Sequence, residues 1–223
     1  MTTMIKDKYT ATWVSHSSIG DYIKCPRSYY LKNVYRDPKT SHKIALIVPA
    51  LALGLGIHMV LENLSKLPKD SRFFDKLIEN FVRNWHTFSG KKGGFTSTAE
   101  EKSYKERGIK MMERIQKNPG PLLQPAIKLR QNLPYYWLSE SENIILCGKI
   151  DWLEYLSETD SVHVIDFKTG KSDEDDDSLQ LQIYFLLVKN CQQRKVSKLS
   201  YWYLNRDDDL TSMKLPDEEK ARE

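Results

Sequence analysis

The stretch that decides the fold is "HVIDFKTGK", His163 to Lys171. It is a strand-like run of valine, isoleucine and phenylalanine that stops at Thr169-Gly170, where turn chemistry takes over. Side chains alternate across a strand, so Asp166 and Lys168 share one face while Ile165 and Phe167 share the other. Lys168 then stands about 6 to 7 Å beyond Asp166 by Cα. Taken by itself, D-x-K is short and common and reads as a salt bridge on a half-exposed sheet.

On either side of this stretch the strand pattern continues. "NLPYYWLSE" (132–140), "NIILCGKIDWLEYL" (143–156) and "SVHVIDFKTG" (161–170) alternate, are rich in β-branched and aromatic residues, and read as three consecutive strands. "DSLQLQIYFLLVKN" (177–190) returns to helical spacing, and "KLSYWYLN" (198–205) reads as a last strand. The acidic run Asp173 to Asp177 between them reads as a solvated turn.

Upstream the period is that of helices. Ser15 to Asp21 starts one, with Ile19, Tyr22 and Ile23 at helical spacing and Pro26 as a breaker. "PALALGLGIHMVLENLSKL" (49–67) is apolar nearly all round and predicts a buried helix opened by proline. Phe73 to Phe88 is amphipathic, "SGKKGGFTS" (89–97) reads as a flexible connection, and Ala99 to Lys117 is a charged helix ended by "NPGP". The expectation is one α/β domain over 1–223, mainly helical over 1–130 and with its sheet over 131–210.

A chain of 223 residues with 40% hydrophobic content can bury a sizeable core. No run reaches the ~18 apolar residues of a membrane span, and "MTTMIKDKYT" lacks a signal peptide's apolar segment, which suggests an intracellular, cytoplasmic setting. Cys25, Cys147 and Cys191 are too few and too scattered for a disulfide framework. The net charge of +4 says little, but its distribution says more. From Lys91 to Arg130 there are ten Lys/Arg against four Asp/Glu, whereas Glu140 to Leu179 has twelve acidic against three basic residues. Basic arms around an acidic centre suit a polyanion held over a cation site, although solvated helix faces give the same counts.

Other residues make the D-x-K pair informative. Asp151 ends "GKID", so two neighbouring strands could bring two carboxylates to one divalent cation, with Lys168 beside them to orient water or stabilise charge. Gln180 and Tyr184 are four apart on one helix face. His58 follows Gly54 and Gly56, which permit close backbone approach. Singly, each has a bland reading as a core histidine or a packing pair. Together they form an ordered series: G-x-x-x-H, G-K-I-D, D-F-K-T-G-K and Q-x-x-x-Y.

That series resembles the PD-(D/E)XK nuclease superfamily, in particular its RecB-like exonuclease branch. "SHSSIGDYIKCPRSYYLKNV" (15–34) is similar to the opening helix of that branch. "LGLGIHMVLE" (53–62) is similar to its histidine motif, "GKIDWLEY" and "VIDFKTGK" to its central motifs, and "LQLQIYFLL" to its Q-x-x-x-Y helix. The resemblance spans Ser15 to Leu204 and implies a restriction-endonuclease-like core, a central mixed sheet flanked by helices, with a helical N-terminal elaboration. It implies His58, Asp151 and Asp166 as ligands of Mg2+ or Mn2+, the Phe167 backbone carbonyl as a further ligand, and Lys168 as the residue that positions or activates water. Gln180 and Tyr184 would hold the substrate strand or orient the lysine. The implied chemistry is metal-assisted phosphodiester hydrolysis, expected to weaken on acidification as His58 protonates.

One subset of the branch holds an iron–sulfur cluster on a cysteine of the opening helix and three near the carboxyl end. Only Cys25 stands in a matching place, so either the chain is a cluster-free member with Cys25 buried, or the sequence is shortened. Tyr29, Tyr30 and Tyr104 among the basic segments are candidates for base stacking. The expected substrate is DNA, single-stranded favoured, bound without sequence preference. The rivals are a catalytically silent DNA-binding module and a subunit whose activity needs a helicase or recombination partner. Oligomeric state, cleavage polarity and pathway stay open at this point.

Overall fold

The computed structural model describes residues 7–73, 76–174 and 178–222. The chain opens with strand β1 (Thr12–Val14) and helices α1 (His16–Lys24) and α2 (Pro26–Tyr29). After a π-helical turn (Tyr30–Val34) and an irregular stretch come α3 (Pro49–Leu64), α4 (Leu77–Asn84) and α5 (Thr98–Lys117). Then follow β2 (Tyr135–Ser139), β3 (Ile144–Cys147), β4 (Trp152–Leu156), β5 (Ser161–Lys168), α6 (Gln180–Cys191), β6 (Lys195–Tyr203), β7 (Thr211–Met213) and α7 (Glu218–Arg222).

Local chemistry sets the helix starts. Ser15 caps α1, its hydroxyl accepting from the Ser18 N–H at 3.3 Å while Ser18 Oγ accepts from the Ser15 N–H at 2.8 Å. Proline opens α3. Ser97 caps α5, whose first turn holds Glu100 and Glu101 and whose last holds Arg114 and Lys117, the polarity that suits a helix dipole.

The strands form two mixed sheets, β1-β3-β2 and β4-β5-β6-β7. In the larger sheet β4 runs antiparallel to β5, β5 parallel to β6, and β6 antiparallel to β7. Parallel neighbours need a crossover, and α6 supplies it between β5 and β6. The alternation in β5 sorts its side chains between two cores. Ile165 and Phe167 face the core made with α3, α4 and α5, joined by Trp152 and Trp202. Val162 and Val164 face the core made with α6, joined by Leu153, Leu186 and Leu187. A sheet filled on both faces explains why β5 is buried almost along its full length.

The structure departs from the sequence expectations in five places. "NIILCGKIDWLEYL" is two strands in different sheets, broken at Gly148 to Asp151, because the chain must pass under α6. A Cβ at Gly148 would stand 2.9 Å from Leu187 Cδ1. The three-residue strands β1 and β7 are additional, since so short a segment shows hardly one alternation. The 89–97 segment is a compact turn rather than a loose connection. Gly94 adopts φ +76 with no room for a side chain, a Cβ there falling 2.2 Å from the Ile47 carbonyl oxygen, and Phe95 enters the core. Helix α3 is buried on one side only, Leu51 and Leu55 lying open. Cys25 is exposed rather than buried, Cys147 is buried, Cys191 is intermediate, and all three are free thiols.

The amphipathic expectation over 73–88 holds α4, and its residues 74 and 75 lie outside the described residues, as do 175–177 of the acidic run. Among the described residues no helix is long and apolar enough to cross a membrane.

Candidate active site

The β4–β5 ladder begins with Trp152 opposite Ile165, and one further step of that register sets Asp151 opposite Asp166. At this open end the Phe167 N–H has no strand to bond. It donates to Asp151 Oδ2 at 3.0 Å, so the aspartate side chain stands in for the missing β4 backbone. The other oxygen, Oδ1, lies 2.9 Å from His58 Nδ1. His58 arrives from α3, and Gly54 one turn earlier keeps that helix close to the end of β5. A Cβ at Gly54 would lie 3.3 Å from Thr169 Oγ1.

Asp166 and Lys168 face α6, as alternation requires. Gln180 Nε2 donates to Asp166 Oδ1 at 2.7 Å and to Tyr184 Oη at 3.1 Å, while Gln180 Oε1 accepts from Lys168 Nζ. Lys168 Nζ also stands 3.0 Å from Asp166 Oδ2 and 2.8 Å from Glu174 Oε2. Both are ion pairs, and the Lys168 ammonium is the close partner of these two buried oxygens. The structure thus gathers Asp151, Asp166, Lys168, Gln180, Tyr184 and His58 at one end of β5, in two linked groups. His58 and Asp151 meet directly, and Asp166 joins Lys168 and Gln180.

The charges strain against burial. Burial, and then the Asp151 charge, raise the Asp166 carboxyl to about 7, with Lys168 and His58 pulling the other way. For Lys168, burial works against the ammonium, but Asp166 and Glu174 outweigh it and raise its pKa. For His58, burial lowers the pKa and Asp151 more than restores it, leaving it raised. Burial and both aspartates push the Tyr184 hydroxyl far up, so it stays protonated.

Sequence reasoning missed three contributors. Glu174, assigned to a solvated turn, returns to Lys168, and its N–H donates to Tyr203 Oη at 3.0 Å. His16, the first residue of α1, shares a cavity with Glu174 and Ser178. Burial and the Lys168 charge lower its pKa, leaving a neutral imidazole beside the lysine. Arg72 is buried, donates from Nη1 to the carbonyls of Leu122 (2.7 Å) and Gln124 (2.6 Å), and stacks 5.0 Å from Trp152, the residue after Asp151. No spacing rule reaches contacts this distant in sequence, but an acid six residues past Lys168 was a signal available for Glu174.

Of the suggested stacking residues, Tyr30 is exposed and Tyr29 packs edge-on against Tyr22. Tyr104 packs on the core beside Phe95, which makes it a packing residue. A second polar relay, Ser200–His163–Glu154, links three strands with both His163 contacts at 2.8 Å. Its serine is 1% exposed, so no substrate reaches it and it acts as a buried cross-strand tie.

A family model of the PD-(D/E)XK nuclease superfamily matches residues 13–223. The chain belongs to the PD-(D/E)XK nuclease superfamily. No curated protein matches it. The mixed α/β architecture agrees with the restriction-endonuclease-like fold of the superfamily, whose members act on DNA and generally use divalent metals such as Mg2+ or Mn2+.

The residues present fit such an ion. Asp166 Oδ2 is a buried carboxylate oxygen met by the Lys168 ammonium at 3.0 Å, and two facing carboxylates supply hard donors. Each Asp151 oxygen takes one hydrogen bond and keeps a further lone-pair direction. His58 Nδ1 meets Asp151 Oδ1 at 2.9 Å, so an ion shared by the two residues would take the place of that contact. Among the described residues no three His, Cys, Asp or Glu side chains already stand in ligand geometry. The carboxylates take hydrogen bonds from the Phe167 N–H and Gln180 Nε2, with His58 Nδ1 beside Asp151 Oδ1.

Proposed function

We propose that the chain is a divalent-metal-dependent DNA nuclease of the RecB-like branch. In this reading it is one nuclease domain over 1–223, an intracellular, cytoplasmic exonuclease acting on single strands in DNA repair or recombination. The observation that supports it best is the Asp166–Lys168–Gln180 group, in which a lysine kept cationic lies against a buried carboxylate and one amide holds both.

In this reading His58, Asp151, Asp166 and the Phe167 carbonyl hold the ion, which supplies Lewis-acid polarisation of the phosphate and a lowered pKa for water. Lys168, kept as an ammonium by Asp166 and Glu174, donates to a phosphate oxygen or orients water and does not abstract a proton. Gln180 fixes the lysine and the aspartate at once through the two ends of one amide. Tyr184, held protonated, is a positioning residue that accepts from Gln180 Nε2 and so fixes which way the amide points.

The test is cleavage of end-labelled single-stranded and duplex DNA with magnesium or manganese. The expected result is metal-dependent shortening of the single strand from one end, lost in Lys168→Ala with the fold intact. Intact DNA with either ion refutes the reading. A partner-dependent subunit is the second reading, favoured by one contact, since Glu174 lies on Lys168 where a phosphate would have to bind. Activity that emerges only when cell extract is added supports that alternative.

A further inference from the structure

Helix α3 presents Leu51, Leu55, His58 and Glu62 at spacings of four, three and four, which is one stripe of a helix. Ala52, Leu53, Ile57, Val60, Leu61 and Leu64 of this helix are packed into the core, yet Leu51 is 46% and Leu55 42% exposed. The two leucines wall a cavity of about 370 Å³, with Ile150 on its margin, and His58 and Asp151 open into the same space. Thr169, Lys149 and Glu62 bring polar groups to this cavity. Across Asp151 a second, smaller cavity is more polar than the first, with Lys128, Gln131 and Asn132 among its lining residues and Lys149 shared between the two.

We propose that the Leu51–Leu55 pocket receives an unpaired nucleobase of the nucleotide whose phosphate is cut. The inference rests on the nuclease reading above and assigns the residues that select the substrate. The pocket and the second cavity share Asp151, so a strand with its phosphate at the carboxylates has the attached nucleoside beside the leucines. The polar side with Lys128 and Lys149 suits the continuing backbone. A nucleobase is apolar on its faces and polar along its edges, which matches apolar walls with hydrogen-bonding groups beside them. A base still paired in a duplex presents neither face, so the pocket selects single strands or frayed ends. Leu55 stands one turn and Leu51 two turns before the histidine, both half-exposed, and a base seated against them would cover them.

The experiment compares a single strand of ordinary DNA with the same strand carrying one abasic nucleotide, moved stepwise across the cleaved position. Wild-type protein with magnesium is expected to lose about tenfold in kcat/KM when the abasic position coincides with the cut nucleotide, the scale of one base contact. Leu51→Asn combined with Leu55→Asn brings that ratio near one, whereas Leu55→Met, which keeps the wall apolar, retains it. Because both leucines are half-exposed, the variants melt near the wild type, and a melting curve checks this. An equal ratio in wild type and double variant overturns the pocket and leaves the nuclease reading standing. Failure of the wild type to cut any strand removes that reading and the pocket with it. A wild-type dimer that becomes monomeric in the double variant also overturns the proposal, since it gives the leucines to an interface between copies.

Discussion

Asp166→Asn removes the charge that the site holds at greatest cost. Asp166 is 1% exposed, and its carboxyl is raised from 3.8 to about 7 by burial and by Asp151. Below pH 3.8 folded and unfolded chains both carry the proton, and no cost arises. As pH rises the unfolded chain ionises first, so folding loses stability until the folded carboxyl also titrates near 7. Fully developed, that loss is about 4 kcal/mol in the metal-free protein for the gap from 3.8 to about 7. Asparagine keeps the shape and the Gln180 contact, and Lys168 retains Glu174 and Gln180. In chelator, thermal melts of the variant should therefore gain on wild type by about 3 kcal/mol between about pH 5 and about pH 8, on the order of 6 to 12 °C for a chain of this size. Magnesium should then stabilise the wild type and leave the variant unmoved. A difference between the two proteins that is constant across pH, or an equal response to magnesium, would refute the assignment of a strained carboxylate built to meet a cation.

Two further substitutions probe the surroundings. Tyr184→Phe deletes the hydroxyl that accepts from Gln180 Nε2, so kcat should fall several-fold with KM little changed while the fold loses only about 1 kcal/mol; a KM effect alone in steady-state cleavage would remove its positioning role. Arg72→Met leaves the Leu122 and Gln124 carbonyls without their buried donor and should cost about 3 kcal/mol in urea unfolding. A loss under about 1 kcal/mol would mean that those carbonyls find water.

The parts legible in the sequence are those governed by a period. Alternation along β5 placed Asp166 and Lys168 together and sent Ile165 and Phe167 to the opposite core, as the two clusters show. Helical spacing placed Gln180 beside Tyr184, and their side chains touch. What was not legible depends on where the chain goes between elements. The break at Gly148 is dictated by Leu187, a residue that α6 brings back from far along the chain. Arg72 finds Trp152 across the fold, and Glu174 reaches Lys168 only because the turn after Thr169 doubles back. The α3 helix misled for a related reason. Its composition says buried, but burial depends on whether a neighbour exists on every side, and among the described residues none fully covers Leu51 and Leu55.

The order of these elements explains why the site lies where it does. A ladder that continued past Trp152 would satisfy the Phe167 N–H with backbone and leave no opening. Ending β4 at that point exposes one amide, and Asp151 fills it with a carboxylate that then stands across from Asp166. Two facing carboxylates in a buried setting repel each other, and the single ammonium of Lys168 is divided between Asp166 and Glu174. His58 is drawn toward its charged form by the same surplus of negative charge. Each perturbation has the same sign and the same remedy, added positive charge between Asp151 and Asp166. A site arranged only for stability would have used an amide at one of these positions, because a buried like-charge pair is destabilising and a neutral pair is not.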